Sequence, residues 1–597
     1  MNIKYSKWLA GGVTGLMMVF GIVSCSDDHY DLNTTNASGT LYENLVATHE
    51  CDSFVMILNK SYVNMKSYGT ASNLTYGQLL QGTKALTVWA PKDGTYNAKQ
   101  WLDLLDEAAT AQQAGDRALA SDLYQRVEKQ FSKNHLSYFN YSGSYPESKQ
   151  ITFANGKYAV YDVTANTIEG VEISSDAATR NVASINGTLH VLDSYIPYAY
   201  DLRELIEVTP ELSDLADYIQ KMDTMVFNER ASVAGAIVNG EVQYVDSVFY
   251  EYNKVLSNNA SSADSLTAAI YLTNNAWNSA VEHVKEFYKY KRAYAYKDEN
   301  NNLYTDSIDA DSLQRANAIK MILNNTFYSL NEQPAFDPKS ASVSTVKNFF
   351  ETADSLISTE AFRDYQHIKA PDCRELSDHQ TPVEASNGYA FIVDNFNFKA
   401  NKAWQYDLTY EAEGGINVNT QYSRSLATAS PRGVQHTVTN ANRNDTVIGT
   451  VSEGGYQEFV PSSSAANPQV TFNLENVLSG HYDIYVVVVP ENMTDVSNKS
   501  PKANKFTAKL TYDYDENGNQ LTVDSELGTE NGGAFRSDVS KVDTILLFDN
   551  YKFETCFSGV RNSRPMLTIT SALRLADRRT CTPNLNIDCI LLVAKDE

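Results

Sequence analysis

Apolar side chains recur along this chain at two spacings, and the change from one to the other divides it. In GTLYENLVATHECDSFVMILNKSYV, Leu41 and Leu45, then Phe54, Ile57 and Leu58, stand at helical intervals and predict two short helices. Residues 86–90 (LTVWA) form a wholly apolar strand that Pro91 stops. Leu119, Leu123, Val127 and Phe131 follow at i, i+4, i+8 and i+12, which predicts one long amphipathic helix over 101–131. FANGKYAVYDV and GVEIS read as strands, and NGTLHVLDSYIP (186–197) as the strand that closes the unit. Its alternation puts Leu189 and Val191 on one face and His190 and Leu192 on the other. Further on, DLADYIQKM predicts a helix, and ASVAGAIVNGEVQYVDSVF a strand pair turning at Asn239-Gly240. Val346, Phe349, Phe350, Ala353, Leu356 and Ile357 mark another amphipathic helix, and SNGYAFIVDNFNF (386–398) repeats the closing strand. From Ala403 onward the helical period disappears. WQYDLTYEAE, YQEFVP, PQVTFNL, HYDIYVVVVP, KFTAKLTYDY, VDTILLF, MLTITSA and IDCILLV then describe a β-sandwich.

LTVWAP and NGTLHVLD resemble the two boundary motifs of the fasciclin domain, the first running strand, Pro, helix start and the second Asn-Gly, strand, Asp, strand. The two N-terminal helices resemble that family's helical layer, and His135 in NHLSYFNYSG stands where the family often has a His. The resemblance covers residues 39–203, with Lys92-Asp93-Gly94 in place of the usual Thr- or Ser-rich helix start. It extends more loosely over 204–400, where LTAAIYLTNNAW has Leu272-Thr273 instead of Ala-Pro and residues 289–307 read as an insertion. The resemblance implies an α+β chain: two fasciclin-like domains (helices packed on a β wedge) at 39–203 and 204–400, before the all-β sandwich at 401–597. It also implies a non-enzymatic cell-surface protein acting in adhesion or glycan capture, with an extracellular glycan as partner.

The start of the chain bears on where such a protein works. Lys4 and Lys7 precede or flank an apolar run, WLAGGVTGLMMVFGIV, which reads as a secretory signal too short for a comfortable membrane span. The run ends in Ile22-Val23-Ser24-Cys25, which resembles the bacterial lipobox. On that reading residues 1–24 are a signal peptide, Cys25 carries lipid, and 25–38 form a polar tether. Acyl chains at about 0.8 kcal/mol per buried methylene anchor a chain without any spanning helix. Ser26-Asp27-Asp28-His29-Tyr30-Asp31 is similar to the acidic export signal of surface lipoproteins in the Bacteroidetes, which implies an outer-membrane protein facing the exterior. A plain secreted signal or a single-pass anchor is the other reading of this segment. The same address opens a second role, an accessory subunit docked on a TonB-dependent glycan transporter and its paired nutrient-binding lipoprotein.

A formal charge of −25 over 597 residues excludes nucleic acid as a partner, since phosphate requires a basic footprint. The 38 tyrosines suit β cores, while exposed ones would suit sugar stacking. Trp404, Tyr406, Tyr422 and Tyr456 are the aromatic candidates of the C-terminal third. KYKRAYAYKDENNNLYTDS interleaves basic residues with Tyr290, Tyr294 and Tyr296. It reads as a solvated helix end before a turn at 300–302, with contact to an acidic glycan or lipid headgroup as the alternative. Asp513, Asp515, Asn517 and Gly518, with Asp524 at the twelfth position, fit the opening of a calcium loop. The flanks are strands, however, and an Asn517-Gly518 hairpin turn explains the same residues, so no metal site is assigned. After Cys25, the remaining cysteines are Cys51, Cys373, Cys556, Cys581 and Cys589, of which the last two either bridge or stay as buried thiols. Asp-Ser/Thr-aliphatic tripeptides starting at Asp223, Asp264, Asp306, Asp311, Asp354, Asp445 and Asp543 resemble an O-glycosylation acceptor pattern. His135 lacks a partner at a recognisable spacing and reads as a hydrogen-bonded structural residue, while His190 and Asp193 fall on opposite faces of one strand. There is no G-x-S-x-G, H-E-x-x-H or Walker loop, and no G-x-G-x-x-G after a strand. No catalytic residue and no cofactor is therefore expected.

Overall fold

The computed structural model describes residues 37–595 apart from 64–73, 144–147, 359–366, 414–425, 515–518 and scattered positions within 228–265, 298–301, 370–371, 431–432 and 464–465. The chain is a mixed α+β protein that folds as two compact units meeting in sequence at Asp201 and Leu202.

The first unit is built on a four-stranded sheet in the order Leu136–Tyr138, Leu86–Pro91, Gly187–Leu192, Val182–Ser184. The two central strands run parallel, with Leu86 opposite Gly187 and Pro91 opposite Leu192. Both are buried at all six positions, as an apolar run covered on both faces requires. Leu86, Val88, Ala90, Leu189 and Val191 face a helical layer that contributes Phe54, Ile57, Leu58, Val127 and Phe131. Trp89 and Leu192 point the other way, onto a second small sheet through Ile151, Phe153, Tyr161 and Ile168. Each such aliphatic side chain contributes about 1.5–3 kcal/mol by leaving water. The two expected N-terminal helices are Leu41–Ala47 and Asp52–Lys60. The single long helix expected over 101–131 is instead two, Ala98–Ala114 and Arg117–Val127. Gly115 ends the first at φ 85°, and the Asp116 side chain caps the second by accepting from Leu119 N–H. The break turns Leu119 outward, 41% exposed, while a wider turn over Glu128–Ser132 brings Phe131 into the core.

The second unit contains a sheet of the same order: Phe327–Ser329, Thr267–Leu272, Gly388–Val393, Val383–Ala385. Thr267 lies opposite Gly388 and Leu272 opposite Val393, again parallel. Asn186 and Asn387, each just before the closing strand, make the same three bonds. Asn186 Oδ1 accepts from Leu41 N–H at 2.8 Å, and its amide donates to the carbonyls of Leu80 and Gly82. Asn387 Oδ1 accepts from Leu202 N–H at 2.9 Å, and its amide donates to those of Ala260 and Ser262. In both places the side chain satisfies the first N–H of a helix and two loop carbonyls. The glycine that follows has no alternative, because a Cβ at Gly187 or Gly388 would stand 1.8 Å from the carbonyl oxygen of Leu86 or Thr267. The expected helix Ser213–Met222 is present, as is the strand pair Val233–Val238 with Glu241–Asp246; its turn, Asn239-Gly240, lies outside the described residues. The helix expected to reach Ile357 stops at Thr352. Ala353 turns extended, and Leu356 and Ile357 lie on a short strand, Ser355–Ile357.

All eight strands expected in the C-terminal third are present, in two sheets of six strands each that share one core. Phe459, Ile484, Val486 and Ile590 from one sheet meet Val470, Phe506, Leu510 and Ile569 from the other. Residues 289–307 do form a hairpin, Ala293–Lys297 with Leu303–Ser307, but not a solvated one at its base. Tyr294 is fully buried in the sandwich core, its hydroxyl donating to Cys556 O at 2.6 Å and accepting from Lys291 N–H. Tyr290 donates to Ser558 O at 2.9 Å, and Cys556 N–H to Lys289 O at 2.7 Å. Tyr290 and Tyr294 therefore serve packing, while Tyr296 stays half-buried on the hairpin, stacked on Tyr304.

Candidate functional site

The residues singled out by sequence fall into three groups. The first is structural. His135 is wholly buried; Ile196 N–H donates to its Nε2 at 3.0 Å, which leaves Nδ1–H to donate to Phe131 O at 2.9 Å. His190 stacks on Trp89 with 4.8 Å between ring centres, and its Nε2 lies 2.9 Å from Tyr141 O. Burial lowers both imidazoles to about 4, so both are neutral at pH 7. Asp193 is at the surface, paired with Lys92 at 2.7 Å. Cys51, Cys373, Cys556, Cys581 and Cys589 are all buried free thiols, so Cys581 and Cys589 do not bridge.

The second group is divided between the core and the surface. Trp404 and Tyr456 are each 2% exposed, and Trp404 lies stacked against Phe396. Tyr406 stays at the surface with its hydroxyl donating to Ala403 O at 2.6 Å. Asp524 lies on the strand Gln520–Asp524, with Lys509 at 3.5 Å across the ladder. Thr224, Ser307, Ser312, Thr446 and Thr544 of the Asp-Ser/Thr tripeptides are exposed, and Ser355 is half-buried. The third group, Cys25, Tyr422, Ser265 and the calcium-loop positions Asp515, Asn517 and Gly518, lies outside the described residues.

Two places that the sequence did not mark have functional geometry. One is a shallow groove of about 390 Å³ lined by Asn275, Ser279, His283, Asp394, Asn395 and Phe396. It sits at the carboxyl ends of Thr267–Leu272 and Gly388–Val393, where open α/β sheets commonly bind ligands. Thr273 fixes the position of Asp394 by donating to its Oδ1 at 2.9 Å, and Asn395 donates to Asp378 at 3.0 Å. Asn275, Ser279, His283 and Asn395 are exposed, while Phe396 is half-buried on Trp404 and Phe398.

The other is a buried acidic slot in the sandwich. The long strand Leu585–Ala594 changes partner part-way along one edge. Leu585, Asn586 and Ile587 pair with the strand Gly455–Phe459, and residues 589–592 with Leu408–Glu411. Asp588 falls at the change. Glu411, Glu413, Asp588 and Cys589 are each 1–3% exposed. Ser452 N–H donates to both oxygens of Asp588, at 3.2 and 3.0 Å, and Ser452 Oγ donates to Glu411 Oε1 at 2.6 Å. Among the described residues, Glu411 Oε2 and both oxygens of Glu413 accept no hydrogen bond from another residue. Burial, with the neighbouring carboxylates adding to it, raises Asp588 to about 8 and Glu413 to about 7, and raises Glu411 as well. The signal in sequence was faint: Glu411 and Glu413 alternate in LTYEAE as the polar face of any strand would.

No family model matches the chain, and no curated protein matches it significantly. Among solved structures, it is similar to a Paenibacillus xanthan lyase at 13% identity and TM-score 0.19, over 31% of this chain and 13% of that one. It is similar to the CBM22-1-GH10 modules of a Clostridium thermocellum xylanase at 13% identity and TM-score 0.19, over 32% and 29%. A carbohydrate-binding module, CBM28, specific for non-crystalline cellulose, matches at 11% identity and TM-score 0.12, over 26% of this chain and 90% of that one. Overlaps this slight carry no argument about the fold or the site.

Proposed function

We propose that this chain is a non-enzymatic, lipid-anchored protein of the outer membrane's exterior face that captures glycan, its two α/β repeats being fasciclin-like domains and its C-terminal third a sandwich fused to the second. One observation carries the capture reading. The groove at the ends of the second parallel pair sets exposed amide, hydroxyl, imidazole and carboxylate groups beside the ring of Phe396. A sugar offers the complement, many hydroxyls around an apolar C–H face. The shared strand order and the matched bonds of Asn186 and Asn387 support a tandem repeat, and the Asn-Gly closures are the motif on which the fasciclin resemblance rests. Anchorage rests on the Ile22-Val23-Ser24-Cys25 lipobox resemblance.

The test is a glycan array probed with soluble residues 26–597 and with Phe396→Ala and Asn275→Ala variants. Binding to one glycan class is expected, weakened about tenfold, or about 1.4 kcal/mol, by Phe396→Ala. A silent array together with co-purification of an outer-membrane transporter would replace capture with the accessory-subunit role. Cys25→Ala is expected to release a folded chain from the membrane fraction, and tight retention of that variant would refute the anchor.

A further inference from the structure

The two α/β repeats diverge where the groove lies. Just past the parallel strands, Lys92 N–H donates to Leu192 O at 3.1 Å and Thr273 N–H to Val393 O at 3.0 Å, so Thr273 is the counterpart of Lys92 and Asp394 that of Asp193. In the first unit Lys92 Nζ pairs with Asp193 at 2.7 Å, which neutralises that carboxylate from within the chain. In the second, Thr273 offers Asp394 a hydroxyl at 2.9 Å and no charge. The loops differ as well. Residues 92–97 separate the first unit's strand from the helix Ala98–Ala114, whereas Thr273 alone separates Thr267–Leu272 from the helix Asn274–Lys285. The longer loop is pinned by Asp93, which accepts from Asp52 and Ser53 N–H at 2.8 and 3.0 Å, and it lays Tyr96 against Tyr195 with 6.1 Å between ring centres. Tyr195 stands two residues past Asp193, as Phe396 does past Asp394. The second unit thus keeps the carboxylate and the ring without the lysine and the loop tyrosine that engage them in the first, and there the groove opens.

We propose that Asp394 is the specificity-determining residue of this groove and selects glycans that carry no acidic group. The inference rests on the capture reading of the same site. An ionised carboxylate only accepts hydrogen bonds, so it suits the hydroxyl donors of a sugar, and its bonds to them are about twice as strong as those of a neutral acceptor. Thr273 holds the carboxylate in place through Oδ1, and Asn275, Ser279 and Asn395 set uncharged polar groups around it. A uronate or sulfate brought to the groove meets a like charge instead. None of the described lining residues is a lysine or arginine that could offset it. In the first unit the corresponding carboxylate is already occupied by Lys92, so one site per chain is expected.

Soluble residues 26–597 are titrated by calorimetry with a neutral oligosaccharide that the glycan array selects, and with the same oligosaccharide oxidised to its uronate form. One equivalent of the neutral form is expected to bind, about tenfold more tightly than the oxidised form. Asp394→Asn should weaken the neutral form about tenfold and narrow the gap between the two. Because that variant can keep the bond from Thr273 and loses only an exposed charge, an unchanged melting temperature shows that it is folded. Thr273→Lys, which rebuilds the pairing of the first unit, should weaken the neutral form to a similar extent, and Asp193→Asn should leave binding as it is. An array that selects acidic glycans, or an Asp394→Asn variant that binds both forms as the wild type does while Phe396→Ala weakens them, overturns this inference and leaves capture standing. A silent array overturns capture and the inference with it.

Discussion

Replacing Asn186 by Ala removes one side chain and three hydrogen bonds at once, at 2.8 Å from Leu41 N–H and 2.9 and 2.8 Å to the carbonyls of Leu80 and Gly82. Leu41 is buried, so its orphaned N–H costs about 1–3 kcal/mol, while the Leu80 carbonyl keeps a longer bond from Tyr42 N–H at 3.4 Å. Gly82 is exposed, and water replaces its lost bond at little cost. The total, roughly 1–3 kcal/mol, falls on the first unit alone and corresponds to roughly a 5 °C drop in melting temperature for a domain of its size. Differential scanning calorimetry resolves the effect if each compact unit unfolds as its own transition. Asn387→Ala should act in the same way on the second unit, with a smaller shift because a larger unit has a larger unfolding entropy. Asn186→Asp keeps the acceptor but replaces the doubly donating NH2 by one oxygen that repels both carbonyls, so it should be no better than Ala. A shift below 1 °C (well under the 2–4 °C expected per kcal/mol) for Asn186→Ala, or an equal fall in both transitions, would refute the argument.

Acid should weaken the first unit specifically. His135 and His190 sit near 4 when folded and near 6.5 when unfolded, so the unfolded chain takes up protons first as pH falls. Their stabilisation is intact above pH 6.5 and is lost between about 6.5 and 4, by up to roughly 3 kcal/mol per ring; equal urea midpoints for this unit at pH 7 and 4.5 would contradict it. Tyr294→Ala should cost the second unit about 3–5 kcal/mol and Tyr294→Phe about 1–2, read by chemical denaturation. A loss below 1 kcal/mol in the Ala variant would mean that the hairpin does not fill the sandwich core. With Cys51 raised to about 12 and Cys556 to about 11 by burial, a thiol reagent at pH 8 should find none of the five cysteines after Cys25 until guanidinium is added, and all five afterwards. Fewer than five would reveal a bridge.

What could be read from sequence was what local pattern determines. Leu86–Pro91 was legible because its buried positions leave a nearly continuous apolar run, Gly187–Leu192 because of the Asn-Gly that opens it, and the sandwich strands because turns punctuate them at short intervals. The break at Gly115-Asp116 was also written in the chain, as a helix-stopping glycine followed by a capping aspartate, but the i, i+4 series through Leu119 obscured it. Tyr294 and Trp404 were illegible for a different reason. What covers them comes from far along the chain, Tyr294 being held by Cys556, and a tyrosine between lysines looks solvated until that partner is known. The acidic slot combines both difficulties: Glu411 and Glu413 carry an ordinary strand alternation, and only the arrival of Asp588 and Ser452 from elsewhere in the chain shows that they are buried beside another carboxylate.

The closing strand of the first sheet inserts at its centre, between Leu86–Pro91 and Val182–Ser184, and this sets the order in which the unit can be completed. About 100 residues separate Leu86 from its partner Gly187, a wait of roughly 5–20 s at ordinary rates of synthesis. Throughout that interval one edge of a six-residue apolar strand offers unpaired backbone to any neighbour, as aggregation requires. That edge stays open to mispairing until residue 192 has emerged, and Thr267–Leu272 repeats the exposure until residue 393. Fragments cut before Asn186 should aggregate and not fold as smaller domains, so the place to divide this protein is after Asp201.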